Sequence, residues 1–177
     1  MHIQSFTFSL SSIPPVFKRD RHALILVRNS KGNFILGSKH HYPEGIARMV
    51  GGGLQEYEDP QEGAARELQE ETGLQVTAQD LVPLITIAAD ISDPQERQWH
   101  FLTFIFFYDS GDKKLTPSDD LDGIVELSKN DYKKLVNRFK NLSRDMHPEM
   151  KFRWSDYGVL YGTFHAIALE ELEKLGL

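Results

Sequence analysis

The chain contains no cysteine. Disulfide staples, thiolate metal sites and cysteine nucleophiles are therefore excluded, and a reducing compartment suits it. Long apolar runs are absent too: none approaches the roughly 20 residues of a membrane-spanning helix. The opening MHIQSFTFSLSSIPPVF lacks a basic start and is broken by serines and by Pro14-Pro15, so it does not read as a signal peptide. The expectation is a soluble, cytoplasmic protein with no membrane partner. Positive charge is in short supply, at a formal net charge of −6. A general nucleic-acid binder needs a basic footprint, so that class is disfavoured. Phosphorylated small molecules stay open, because a bound metal can supply the positive charge. There is no internal repeat and no low-complexity tract. What is present is 177 residues at 40% hydrophobic, enough for one core and one domain over 1–177. Within it, 1–15 reads as an N-terminal strand or arm, and 141–177 as a C-terminal extension ending in a helix.

The rest of the chain is organised around residues 51–74, GGGLQEYEDPQEGAARELQEETGL. Asp59 is a good N-cap and Pro60 fits the first helical position. Gln61, Ala64, Ala65 and Leu68 recur at helical spacing and form a narrow stripe of mostly small side chains. Gly73 can take the left-handed conformation that ends a helix. The spacing predicts a helix over 60–72. On its other side Glu67, Glu70 and Glu71 stand at i, i+3 and i+4, where like charges repel unless something cationic sits among them. Hard divalent cations take oxygen ligands from a few carboxylates, with water and phosphate completing the shell. Glu58 lies just before the helix, and Arg66 inside it can hold a carboxylate bidentately. A solvated acidic face is the ordinary alternative for such a cluster.

The whole spacing is more demanding than the cluster. It runs Gly52, five residues, Glu58, seven residues, Arg66-Glu67-Leu68, one residue, Glu70-Glu71, one residue, Gly73-Leu74. This resembles the Nudix box of the Nudix hydrolase superfamily, with every fixed position filled. The resemblance implies an α/β fold, an α/β/α sandwich around a mixed β-sheet. It implies hydrolysis of a nucleoside diphosphate linked to another moiety, X, with Mg²⁺ or Mn²⁺. Glu67, Glu70 and Glu71 match the metal-binding glutamates, Glu58 the supporting acid, Arg66 the arginine that orients them, and Gly52 and Gly73 the turn glycines. The implied partner is a small nucleotide.

The flanking sequence is less decisive. Residues 3–10 alternate, with Phe6, Phe8 and Leu10 on one side, as in an edge strand or arm that covers the core or serves a homodimer contact. His22–Val27 is a continuous apolar run, typical of a buried strand, and 29–33 is a turn into a second strand at 34–37. Residues 38–50 form a loop carrying His40, His41, Tyr42 and Arg48. Arg48 is the candidate phosphate ligand. Tyr42 could replace the aromatic that many members place before the glycines. Gly52 and Gly53 would bring backbone to the substrate. Strands are expected at 81–87 and 100–108, with a polar connection at 91–97. Residues 115–127 hold Asp119, Asp120, Asp122 and Glu126. Asp120, then Asp122, is the candidate for the further acid that many members place here, though capping of turns explains such residues equally well. Helices are expected at 130–139 and 164–175. Trp154, Tyr157 and Tyr161 either stack a substrate ring or belong to core or interface.

The chemistry implied is attack of water on a phosphorus of a pyrophosphate link, with a general base taking the proton. Glu67 or Glu70 is the first choice for that base and Asp120 the rival. The sequence lacks the downstream proline of many ADP-ribose hydrolases, the SQPWPFPxS-like segment of NADH hydrolases and the tyrosine of many dinucleoside-polyphosphate hydrolases. Nucleotide-sugars and nucleoside triphosphates remain open. The alternative class is a Nudix-fold module that binds nucleotides without cleaving them, and the intact box argues against it. Isopentenyl diphosphate isomerase shares the fold but needs a cysteine.

Overall fold

The computed structural model describes residues 1–14, 19–119 and 121–177. Seven strands form one mixed sheet: β1 (His2–Ser9), β2 (Arg21–Asn29), β3 (Phe34–Ser38), β4 (Val50–Gly53), β5 (Val82–Ser92), β6 (Gln98–Gly111) and β7 (Gly123–Leu127). Their order is β1-β5-β6-β2-β3-β7, with β4 also paired to β2. The β1–β5 and β2–β6 pairs are parallel and the rest antiparallel. Three α-helices cover the faces: α1 (Pro60–Thr72), α2 (Lys129–Lys140) and α3 (Trp154–Lys174).

The apolar run of β2 follows from this layering. Ala23, Ile25 and Val27 pack in one cluster with Ala64, Ala65 and Leu68 of α1. Leu24 and Leu26 point the other way, into a larger cluster with Tyr132 and Phe139 of α2 and Leu160, Phe164 and Ala168 of α3. A strand buried on both faces has no polar side to alternate with. The expected sandwich is therefore the observed one. Each fully buried side chain of leucine size contributes about 1.5–3 kcal/mol.

The strands around the hairpin run longer than the apolar runs suggest. β5 reaches Ser92 and β6 starts at Gln98, because Ile91 pairs with Trp99 and Ser92 with Gln98 on the sheet's rim. Only the Asp93 turn remains of the expected connection, its carboxylate holding Arg97 and accepting from Gln95 N–H. β7 is an unexpected strand. Its Ile124, Val125 and Leu127 are only half-buried, and it is fixed by register against β3.

The largest departure is α3, which begins at Trp154, ten residues before the expected start. Gly158 and Gly162 look like breakers in the sequence. In the structure they let α3 cross α2 closely: a Cβ at Gly158 would stand 2.1 Å from Phe139 O. Trp154, Tyr157 and Tyr161 are accordingly core residues, 8%, 3% and 1% exposed. α2 begins after Ser128, whose hydroxyl caps Asp131 N–H.

On α3, facing α2 and the loop into β4, lies His165, fully buried. Met49 N–H donates to its Nε2 at 3.3 Å, so the remaining proton is on Nδ1 and faces Tyr132 Oη at 2.7 Å. Burial, with the nearby Arg48 charge, pushes this imidazole down to about 3. The unfolded chain therefore takes the proton first, near the ordinary 6.5. Stability from this residue is complete above pH 6.5 and falls as pH drops towards 3, by about 1.4 kcal/mol per unit. Urea unfolding at pH 7 and pH 5 is expected to show a loss of about 2 kcal/mol that is absent in His165→Gln. An unchanged slope in that variant would mean that His165 does not titrate this way.

Candidate active site

The site begins with α1. Asp59 accepts hydrogen bonds from Gln61 and Glu62 N–H, Pro60 opens the helix, and Gly73 ends it at φ 71°. The helix is the one the spacing predicts, from Pro60 to Thr72. Gln61 Nε2 donates to the carbonyls of Ala78 and Leu81, which fixes the following loop. With Ala64, Ala65 and Leu68 buried, Arg66, Glu67 and Glu70 turn away from the core, towards the glycines of β4.

Arg66 gathers the acids. Its Nε and Nη2 hold the two oxygens of Glu58 at 2.7 and 3.0 Å, a bidentate pair. Its Nη1 donates to Glu67 Oε1 and Glu70 Oε2, both at 2.8 Å. Glu58 also accepts from Gln55 N–H, so the loop from Leu54 to Asp59 is closed on itself. Glu71 is buried, and its carboxylate accepts from Gly51 N–H at 2.8 Å. Gly52 is where backbone must come close: a Cβ there would stand 2.5 Å from Glu67 Oε2. Gly53 offers its carbonyl to Arg19 Nη1 at 2.6 Å and to Arg66 Nη2 at 3.5 Å.

Two of these carboxyls are driven apart. The Arg66 hydrogen bonds hold Glu58 below the usual carboxylate range. Burial pushes Glu67 up, against the pull of Arg66 and with help from the nearby Glu70 charge.

Arg48 does not reach into open solvent. Its Nη1 donates to Tyr161 Oη at 3.1 Å, its Nη2 to Gly51 O at 3.0 Å, and its guanidinium lies 5.3 Å from the Tyr161 ring centroid. It braces the glycine turn from below. Tyr42 is half-buried against the core, with its ring 6.1 Å from that of Tyr157. Asp122 accepts from the backbone N–H of His40 at 2.7 Å and faces its Nδ1 at 2.9 Å, which ties the 38–50 loop to the acidic segment. Asp120 lies outside the described residues. Its segment is nonetheless anchored at the site: Ser118 Oγ donates to Glu70 O, Ser118 N–H to Glu71 O and Thr116 N–H to Thr72 O. Of the ring-stacking candidates, Tyr161 is a core residue whose hydroxyl accepts from Arg48; Ser118, Arg19 and Arg21 carry no spacing pattern of their own. Arg19 and Arg21 flank Asp20 just before an apolar strand, a position at the mouth of the sheet, and that was the available signal.

The sequence matches the NUDIX domain over residues 18–149. The chain belongs to this family. β1 and α3 lie outside the matched region. No curated protein sequence matches it significantly. Among solved structures, the MutT protein of Methanosarcina mazei Go1 is similar at a TM-score of 0.53 and 16% identity, over 89% of this chain and 96% of that one. A bifunctional NMN adenylyltransferase/ADP ribose pyrophosphatase from Francisella tularensis, complexed with AMP and a manganese ion, gives 0.54 and 17% over 90% of this chain. This chain spans only 42% of that protein's length. The NUDIX domain of Shewanella oneidensis NrtR, complexed with ADP ribose, gives 0.52 and 11%, over 84% of this chain and 88% of that one. At these identities the likeness is one of fold. Among the described residues, no helix of this Nudix protein is long and apolar enough to cross a membrane.

The donor chemistry of the Nudix site suits a hard divalent cation. The carboxylates of Glu58, Glu67 and Glu70 share the Arg66 guanidinium, and that of Glu71 lies on Gly51 N–H, near the Arg48 charge. The negative excess is what a divalent cation would neutralise. Among the described residues no three His, Asp or Glu side chains stand placed to hold a metal ion together. Mg²⁺ usually binds through one or two carboxylates, with water and substrate phosphate in the other positions.

Proposed function

We propose that this protein hydrolyses a pyrophosphate bond in a nucleoside diphosphate linked to X, dependent on Mg²⁺ or Mn²⁺. The observation that carries the reading is the placement of Glu67, whose carboxylate lies against the backbone of Gly52 and on Arg66 Nη1, beside the half-exposed Glu70.

Glu67, Glu70 and Glu71 would hold the metal, with Glu58 in support. When bound, the metal supplies charge neutralisation of the phosphate oxygens and acidifies water. The chain's own residues do the rest. Arg66 favours the ionised form of Glu58 and holds Glu67 and Glu70 to one side. The missing Cβ at Gly52 lets the Glu67 carboxylate lie against the turn, and that at Gly53 lets the Arg19 side chain do so. Arg48, held beneath the turn, contributes positive charge to a phosphate lying over Gly51–Gly53 rather than a long reaching contact. Glu67 or Glu70 accepts the proton of the attacking water, and Asp120 is the rival base. The products are a nucleoside monophosphate and phosphorylated X. The ADP ribose complex of the Shewanella domain and the AMP–manganese complex of the Francisella protein support this substrate and metal class.

The test is phosphate and nucleotide release from a panel of nucleoside diphosphate-linked compounds and triphosphates. Turnover of one class with Mg²⁺, abolished by EDTA and restored by Mg²⁺ or Mn²⁺, is the expected result. Turnover unaffected by EDTA would overturn the metal assignment. Binding without turnover would favour the non-catalytic nucleotide-binding module.

A further inference from the structure

The loop that leads into α1 presents Tyr57 in a way that folding alone does not explain. Its φ is +61°, the left-handed region, where a side chain with a Cβ is disfavoured and glycine or asparagine is the ordinary occupant. It gains no packing in return, since 91% of the residue is exposed. Strain held without burial is the pattern of a functional side chain.

Beside Tyr57 opens a cleft of about 700 Å³, lined among others by Arg19, Asp20, Arg21, Gln55 and Glu56. It adjoins the Nudix site directly. Arg19 Nη1 donates to Gly53 O at 2.6 Å and Arg21 Nη2 to Glu58 O at 3.2 Å. Each guanidinium spends one N–H on the loop and has further donors to offer. The lining is mixed in charge, which decides what it can take. A terminal phosphate would meet Asp20 and Glu56 as well as the arginines, and like charges at close range select against it. A phosphate esterified to a sugar carries less negative charge than a terminal one, and the sugar brings hydroxyls that the carboxylates can accept from. The guanidiniums take the phosphate, the two carboxylates and Gln55 accept from hydroxyls, and the tyrosine ring covers the apolar face of the sugar.

We propose that this cleft is the subsite for X, and that X is a sugar: the substrate class is the nucleoside diphosphate sugars. The inference rests on the Nudix reading of the neighbouring carboxylates, and its test is separable from that reading because it measures binding. The probes are the non-hydrolysable methylene-bridged analogue of ADP-ribose and, as its sugar-free counterpart, methylene-bridged ADP, titrated by calorimetry with Mg²⁺. The wild type is expected to bind the sugar-bearing probe about ten-fold more tightly, equivalent to about 1.4 kcal/mol. Tyr57→Gly should lose that preference and Tyr57→Phe should keep it. Glycine suits φ +61°, so Tyr57→Gly should melt at or above the wild type. Equal binding of the two probes by the wild type, or a preference retained in Tyr57→Gly, would overturn the assignment. So would a Tm well below wild type in Tyr57→Gly, which would mean that the ring is packed rather than presented. A preference that behaves as expected in a protein that hydrolyses no natural nucleotide sugar would leave the subsite standing and remove the hydrolase reading instead.

Discussion

Glu67→Gln is expected to lower kcat/KM for pyrophosphate hydrolysis about a thousand-fold, equivalent to about 4 kcal/mol in the barrier. Glutamine keeps the shape of the side chain and one oxygen for Arg66 Nη1, so the helix and the glycine turn stay in place. It removes the negative charge and the ability to take a proton. Both roles open to Glu67, metal ligand and base, need that charge. The side chain is closely held, with Gly52 on one side and Arg66 Nη1 on the other. Glu70 is half-exposed, and water can stand in for part of what it does, so Glu70→Gln is expected to cost less. Kinetics with the substrate identified from the panel, and thermal melts of the same preparations, check this. A Glu67→Gln enzyme within ten-fold of wild type at unchanged Tm would remove Glu67 from the chemistry.

The contrast between Glu67 and the outlying candidates shows what spacing can and cannot convey. Asp59, Pro60 and Gly73 set the ends of α1 by local chemistry, and the i, i+3, i+4 rule sets which side chains share a face. Helix and acid cluster were therefore legible together. Arg48 was equally visible as a cation, but its role depends on Tyr161, which lies 113 residues away in sequence and reaches it only because α3 crosses α2. The same crossing hid the start of α3. Gly158 reads as a breaker when its own propensity is considered alone, and becomes a packing residue once Phe139 is opposite. Asp122 had the right charge and roughly the right place. Its partner His40 comes from a loop brought there by β3–β7 pairing, and no local pattern announces that pairing. Tyr57 carries the opposite lesson. A tyrosine in a tight Glu-Tyr-Glu-Asp-Pro turn looks like an ordinary loop residue until its backbone angle is known.

Arg66→Met is expected to lower unfolding stability by about 3–5 kcal/mol at pH 7, the usual cost of leaving partly buried charges without their counter-ion. The guanidinium meets three carboxylates, and the side chains of two of them, Glu58 and Glu67, are only 13% exposed. Methionine fills much of the space of the arginine stem, so the loss is chiefly electrostatic. The pH dependence separates this from a packing defect. Arg66 lowers the folded-state pKa of Glu58. That stabilisation is fully present above the unfolded value near 4.5 and is lost as pH falls through the folded one. In Arg66→Met the pairing is already gone, so the gap between variant and wild type should narrow between pH 7 and pH 4. His165 acts on both proteins alike and cancels from the comparison. Mg²⁺ or Mn²⁺ should also raise the Tm of the variant, because a cation among Glu58, Glu67 and Glu70 replaces the charge that was removed. Urea titrations at the two pH values, with and without the metal, measure all three effects. A gap that stays constant with pH would assign the loss to packing, and Arg66 would then be a structural residue of α1 rather than the one that organises its carboxylates.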